Sequence, residues 1–518
     1  MSEEKVDVAI VGAGVAGAIL GARLAAAHKK VVILEHGPNW KSTDLVSSQI
    51  WSRRIKWGGA RVEQSGKNPV GYNFNMGWGS GGSAIHHYAQ WPRLHPEDFR
   101  SKTLFGRGVD WPISYEDLQP YYDRVQEQVG VSGDAAREPW RPPGAPYPLP
   151  AMKIYRQGEV LAAGFAKIGI RTAPMPMAIL SQSYKGRPGC IYDGWCDAGC
   201  PIGALANPLI TDLPAALASG AELRSSAVAT RVLMSKDGRH AVGIEYFDAS
   251  ANKHAQYADV VILANNCVQG PRLLLNSATS THPNGVANSS GTVGHYLLTH
   301  FASGLKGMFD VDMQNHMGTT AACLIGQDAY AKAEGSYTWF IPQAQKLTDL
   351  LGIANVDGTL FGEALHDFVR RAIKGLGSII AIAEQTPRAE NRVSLASTKD
   401  AYGYALARWN NSIDEREQKL FITMRAEGQR ALKAAGATQI WAPESVGFQH
   451  IAGGLRMGTD PANSVCDSYG RCHDVPNLVL AGAGTFPTEG AVNPTFTVHA
   501  LTQRTADHLL AHWGSYAA

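Results

Sequence analysis

The chain has 518 residues, enough to bury a large core and to hold two domains or one elaborated domain. Its 47 Lys and Arg balance 45 Asp and Glu to a net charge of +2, which excludes the basic footprint of a nucleic-acid-binding protein. Seven Cys in a chain this long exclude a disulfide framework, and no apolar run is long enough to span a bilayer.

The first element is a strand–turn–helix. Val6 to Val11 is apolar but for Asp7, as a buried parallel strand requires, and it meets Gly12-Ala13-Gly14-Val15-Ala16-Gly17 ahead of an Ala/Leu-rich stretch. Gly12 allows the tight turn, Gly14 lets the backbone approach a pyrophosphate, and Gly17 lets the helix pack on the strand. The helix N-terminus then offers free N–H groups to the phosphates. A second strand, Val31 to Leu34, ends on Glu35, 23 residues after Gly12. An acid at this spacing accepts ribose hydroxyls and disfavours a 2′-phosphate, so the pattern predicts a dinucleotide site. The run Val8–Ala22 is apolar, but acidic residues flank it and no small-residue cleavage site follows, so it is not read as a signal peptide.

A second glycine loop, Gly77-Trp78-Gly79-Ser80-Gly81-Gly82-Ser83-Ala84-Ile85-His86-His87, suggests a second backbone approach to one extended cofactor. NAD needs one such loop; FAD can use more. Residues 110–185 are rich in Pro and Tyr and read as linker and lid, with one helix near Gln157–Ile168. Strands are expected over Ala227–Met234, Ala241–Phe247 and Val260–Leu263, then a helix over Gln269–Asn276. Residues 306–440 alternate apolar and polar and read as a sheet-based second domain, with helical charge spacing over Glu415–Ala435. Asn477 to Leu480 is a buried strand running into Ala481-Gly482-Ala483-Gly484, and a helix from about Pro494 to Trp513 closes the chain.

Cys190, Cys196 and Cys200 lie within 11 residues and Pro201 follows the last. Three thiolates before a Pro suit a [3Fe–4S] cluster, or a [4Fe–4S] cluster with one foreign ligand. A disulfide with one free thiol, or three unliganded thiols, are the other readings. Cys466 and Cys472 read as structural.

Taken together, these pieces resemble the glucose–methanol–choline (GMC) flavoprotein oxidoreductases. The resemblance rests on the Gly12–Gly17 turn with Glu35, the Gly77–His87 loop and Gln269-Gly270-Pro271-Arg272-Leu273-Leu274-Leu275-Asn276-Ser277. It rests also on His450-Ile451-Ala452-Gly453-Gly454-Leu455-Arg456-Met457-Gly458 and on Gly490-Ala491-Val492-Asn493-Pro494-Thr495. Within the family it looks like the bacterial branch of gluconate and FAD-dependent glucose dehydrogenase large subunits. It implies an α/β fold: a Rossmann-like FAD-binding domain over 1–110, 186–305 and 441–518, and a discontinuous, sheet-based (α+β) substrate domain with lid over 111–185 and 306–440.

The resemblance implies FAD at Gly12, Gly14, Gly17, Glu35, Gly79, Gly82, Ser83, His86, Ala229, Ala483, Gly484, Asn493 and Thr495. His86 matches a position that bonds covalently to the flavin in some members and not in others. The chain has 17 His, so any one by itself is more often structural, but His450 falls on the family's catalytic motif. Asn493 falls where the family places a second His or an Asn; alone it would read as a turn residue before Pro494.

The expected function is oxidation of an alcohol group of a sugar, polyol, or primary or aryl alcohol. Electrons would pass from FAD through the iron–sulfur cluster to a cytochrome or quinone. The other functional readings are an O2-using alcohol oxidase and a non-catalytic flavin-binding subunit. The branch implies a small export subunit and a cytochrome c subunit as partners. The compartment is then the cytoplasm, or the periplasm by co-export.

Overall fold

The computed structural model describes residues 4–56, 59, 61–71, 76–355 and 357–517. Three sheets organise them. The first has the hydrogen-bonded order Glu222–Arg224, Val31–Leu34, Val6–Val11, Lys253–Leu263, Ala241–Phe247, Val228–Met234. The strand Lys253–Leu263 serves two neighbourhoods. Its first half pairs antiparallel with Ala241–Phe247. Its second half runs parallel to Val6–Val11 on one side and to Leu478–Leu480 on the other. Val6–Val11 is therefore a central parallel strand covered on both faces, which is why it is apolar almost throughout.

Helix Val15–Ala26 follows directly, with Gly14 as its N-cap and no side chain capping its first N–H groups. Gly12 has φ +100°, open to glycine, and a Cβ on Gly17 would lie 1.9 Å from the Gly12 carbonyl oxygen. The turn thus needs glycine at both positions. Of the first sheet's five parallel strands, four end side by side at Val11, Leu34, Leu263 and Leu480, with the fifth ending at Arg224 beside Leu34, and open sheets of this kind bind ligands at that edge.

The second sheet is antiparallel: Gln439–Trp441, Leu298–Met308, Leu376–Ala383, Tyr337–Pro342, Ala322–Gly326, Ala173–Pro174. Gly447–Ala452 also pairs with Leu298–Met308. Helices Arg156–Lys167 and Glu415–Ala435 pack together on it; Gly164 gives the room, because a Cβ there would lie 2.5 Å from that of Ala435. Asp414 caps the longer helix by accepting the Glu417 N–H, and Gly436 ends it in a left-handed turn. A third, small sheet joins Arg392–Lys399, Ala405–Asn410 and Val62–Ser65.

The 111–185 stretch is more regular than its composition suggests. Tyr115–Val129 is a helix, with Ser114 accepting the Asp117 N–H at its start and Gly130 in the left-handed region at its end. Pro120 is tolerated inside it. This helix packs on the closing helix Thr495–Ala511, where the Tyr122 hydroxyl and Thr497 Oγ1 are 2.7 Å apart.

Candidate active site

The four strand ends open into one cavity of about 750 Å³, lined at those ends by Gly12, Glu35, Ala264 and Ala483. Its other walls come from the second glycine loop, from Ala229, and from the second sheet through Phe340 and Ile380. The two glycine loops touch backbone to backbone. Gly81 N–H donates to the Ala13 carbonyl at 2.9 Å. A Cβ on Gly82 would lie 3.0 Å from Gly14 Cα. Glu35 binds the loops together: its buried carboxylate accepts N–H groups from Ala13 at 2.9 Å, Gly37 at 2.8 Å and Gly79 at 3.2 Å.

Of the residues expected to hold FAD, Gly12, Gly14, Glu35, Gly82, Ser83, His86, Ala229, Ala483, Asn493 and Thr495 line this cavity. Gly17, Gly79 and Gly484 do not. Gly17 packs helix on strand, Gly79 holds Glu35, and Gly484 faces Leu455 and the Gly453 carbonyl. The cavity fits a long, polar cofactor by its own chemistry. Buried polar atoms on its wall have no protein partner: His86 Nε2, Asn265 Oδ1, Gln269 Nε2 and Asn493 Oδ1. Such groups are costly unless a ligand meets them. The uncapped N-terminus of Val15–Ala26 faces the same space, where it favours phosphate.

His450 comes to the cavity by an irregularity. The pairing of Gly447–Ala452 with Leu298–Met308 shifts register between Gln449 and Ala452. His450 there has φ +54°, a strained value for a residue with a side chain. Thr299 Oγ1 holds the bulge by donating to the carbonyls of Gln449 and His450, each at 2.8 Å. The bulge turns the imidazole so that Nε2 meets Asn493 Nδ2 at 3.1 Å. Asn493 Nδ2 also donates to Gln90 Oε1 at 3.2 Å. Burial lowers the His450 pKa to about 4, so the ring is neutral at ordinary pH and can take a proton. Burial likewise lowers His86 to about 3 and His87 to about 4.

The structure thus brings His450 and Asn493 together on the cavity. Sequence reading did not find Gln90, nor His300 and Glu489 behind His450. Gln90 and His300 lie far away in sequence and carry no local signal; Glu489 stands four residues before Asn493 but has no recognisable pattern.

The expected [3Fe–4S] site is a different matter. Cys190, Cys196 and Cys200 are free thiols on one loop, but among the described residues no three Cys, His, Asp or Glu converge as metal ligands. Burial and the neighbouring thiols push Cys190 up to about 11 and Cys196 up to about 12. Close spacing in sequence brings the thiols near one another without aiming their sulfurs at a common centre. The residues as folded do not fit the cluster.

Among the described residues no helix is long and apolar enough to cross a membrane.

Comparisons with known proteins place this geometry. Two family models described as GMC oxidoreductase match residues 81–302 and 387–502. The chain is 30% identical to 2-methyl-1,2-propanediol dehydrogenase of Mycolicibacterium austroafricanum, over 98% of this chain and 96% of that protein. It is 29% identical to the fructose dehydrogenase large subunit of Gluconobacter japonicus, over 97% of each. It is also 29% identical to paromamine 6'-oxidase of Streptomyces fradiae, over 96% of this chain and 90% of that one. The crystal structure of pyridoxine 4-oxidase from Mesorbium loti shares the fold, with TM-score 0.67 and 16% identity over 98% of this chain and 100% of that one. With the cavity, its glycine loops and the His450–Asn493 pair, these matches establish that the chain belongs to the GMC oxidoreductase family.

Proposed function

We propose that the chain is an FAD-dependent dehydrogenase that oxidises an alcohol group of a sugar, polyol, or primary or aryl alcohol. The single observation that carries this is His450 Nε2 and Asn493 Nδ2, 3.1 Å apart on the wall of a cavity of about 750 Å³ lined by both glycine loops. FAD, when bound, supplies the hydride acceptor. Gly12, Gly14, Gly82 and Ser83 would hold its phosphates and Glu35 its ribose. In this reading 1–110, 186–305 and 441–518 carry the cofactor, and 111–185 and 306–440 shape the substrate side.

His450 takes the substrate hydroxyl proton at Nε2. A neutral imidazole suits this, because its ring nitrogen has a lone pair to accept the proton at ordinary pH. Asn493 orients the substrate oxygen. One of its amide N–H groups holds Gln90, and the other, which meets Nε2 here, would turn to donate to the substrate oxygen and so free the Nε2 lone pair for the hydroxyl proton. Two of the relatives above are named dehydrogenases, which supports an acceptor other than O2. The name "large subunit" of one supports partner subunits. Support for an iron–sulfur exit is confined to the Cys190, Cys196, Cys200 spacing, and no step is routed through those thiols. A second reading, an alcohol oxidase, is supported by the name of another relative.

The test is anaerobic mixing of flavin-loaded protein with D-fructose, D-glucose, gluconate, 2-methyl-1,2-propanediol and benzyl alcohol. Bleaching of the flavin by one of them, followed by rapid reoxidation by a quinone or dye and slow reoxidation by air, is the expected result. Fast reoxidation by air would give the oxidase. No bleaching by any alcohol would leave a flavin-binding subunit. Iron analysis with low-temperature EPR, before and after dithionite, tests the Cys loop in the same preparation.

A further inference from the structure

His300 and Glu489 are fully buried, do not line the cavity, and stand directly behind His450. Their hydrogen bonds decide which nitrogen of His450 carries a proton. His300 Nε2 is 2.8 Å from the Gly490 carbonyl, which can only accept, so Nε2 bears the hydrogen. In a neutral ring Nδ1 is then bare. His450 Nδ1 lies 2.9 Å from that bare nitrogen and must donate to it. His450 Nε2 is left with its lone pair, and it accepts the Asn493 amide N–H at 3.1 Å. One backbone carbonyl therefore sets a directed chain from Asn493 through His450 and His300 to Gly490.

Glu489 is the group that could reverse it. Its Oε1 is 3.4 Å from His300 Nδ1, and neither carboxyl oxygen has a hydrogen-bond partner. An ionised Glu489 would draw a proton onto His300 Nδ1. His450 Nδ1 would then accept instead of donate, and its proton would move to Nε2, the nitrogen that faces substrate. A fully buried carboxylate with no hydrogen bond is strongly disfavoured, and burial raises Glu489 well above the usual carboxyl range. Among the described residues, the titratable groups within hydrogen-bond or ion-pair distance of His300 are His450 and Glu489, and both are neutral in this arrangement.

We propose that His300 is a positioning residue that holds the His450 proton on Nδ1 and so presents the Nε2 lone pair to the substrate hydroxyl, with Glu489 serving as a neutral acid. This rests on His450 being the base. His300 touches neither substrate nor cofactor; it acts through the tautomer of its neighbour.

The test reads that tautomer directly. Flavin-loaded protein carrying ¹⁵N only in histidine is studied by long-range ¹H–¹⁵N spectra at neutral pH, with the His450 signals identified by their loss in H450Q. Wild type and E489Q are expected to show protonated Nδ1 and bare Nε2. H300A is expected to mix the tautomers, and H300Q, whose carbonyl oxygen can accept, to restore the wild-type pattern. In stopped flow with the best alcohol of the panel above, H300A should slow flavin bleaching roughly 10–100-fold, with substrate affinity changed about threefold at most, and H300Q should recover most of the rate. A wild-type spectrum with the proton on Nε2, or an unchanged H300A spectrum, overturns the proposal. So does an H300Q rate no better than H300A. If H300A does not fold, the wild-type, E489Q and H300Q spectra decide. If no alcohol bleaches the flavin, the reading of the chain as an alcohol dehydrogenase fails, while the spectra still judge His300.

Discussion

His450 Nε2 lies 3.1 Å from Asn493 Nδ2, an amide nitrogen that only donates, so the imidazole shows a lone pair and not a proton at that end of the cavity. The pair makes base and orienting group separable. H450A removes the proton acceptor, and flavin bleaching should slow by about 10²–10⁴-fold with flavin content kept. N493A removes the oxygen's anchor and frees the His450 ring, at a loss of roughly 10²-fold. Anaerobic stopped flow checks both. H450A within tenfold of wild type would remove His450 as the base.

The glycines of the first turn separate folding from cofactor binding. A Cβ on Gly17 collides with the Gly12 carbonyl at 1.9 Å, so G17A must push helix Val15–Ala26 off its strand. A Cβ on Gly14 meets Gly82 Cα at 3.9 Å, an ordinary contact, and Gly14 has φ −77°. G14A should therefore fold with an apo Tm near wild type and lose about tenfold or more in FAD affinity, because the methyl fills the space the phosphates need. G17A should lower the apo Tm as well. Flavin fluorescence titration and thermal unfolding of both variants distinguish the two roles; equal apo Tm values would mean that the helix relaxes around the methyl added in G17A.

Much of this architecture was legible because its signals are local. Glycine turn, second strand and Glu35 sit within 30 residues of one another, the elements Ala241–Phe247, Gln269–Asn276 and Glu415–Ala435 carry their own periodicity, and the last also its caps, Asp414 and Gly436. Tyr115–Val129 was hidden by its Tyr and Pro content, although Ser114 and Asp117 form a capping box that marks its start. Gln90 and His300 were not legible. His300 reaches His450 across 150 residues through the pairing of two strands of the second sheet, and a bulge at His450 then decides where the ring points. The Cys loop shows the converse: spacing suited to a cluster does not by itself turn three sulfurs toward one centre.

His86 is the residue at which the family resemblance leaves covalent attachment of FAD open. It lies on the cavity wall, buried, with Nε2 unpartnered, and burial holds it neutral down to about pH 3, so its ring nitrogen keeps nucleophilic character. Acid precipitation of the purified protein should leave the yellow colour in the pellet, and H86A should release all of it to the supernatant. Colour released fully from wild type would make the attachment non-covalent.

The buried histidines also set how the fold answers acid. His86, His87, His95, His450 and His499 are held at about 3 to 4 by burial, and His300 lies well below its ordinary value. Unfolded, each takes a proton near pH 6.5, so below that pH the unfolded chain binds more protons and stability rises with pH. Asp98, raised to about 8, Glu138, raised to about 7, and Asp212, Glu417 and Glu489, also raised by burial, act in the opposite sense: folded they keep a proton that the unfolded chain has already lost. Between about pH 4.5 and 6.5 the six histidines outnumber these five acids, and above 6.5 only the acids still operate. Tm should therefore peak near pH 6.5, fall by on the order of 5 °C by pH 5, and decline more gently toward pH 8. Unfolding scans across that range in one buffer system measure it. Replacing His95, away from the cavity, with Gln should flatten the acid side alone; a Tm that keeps rising from pH 6.5 to 8 would mean that Asp98 and Glu138 are ionised in the folded protein.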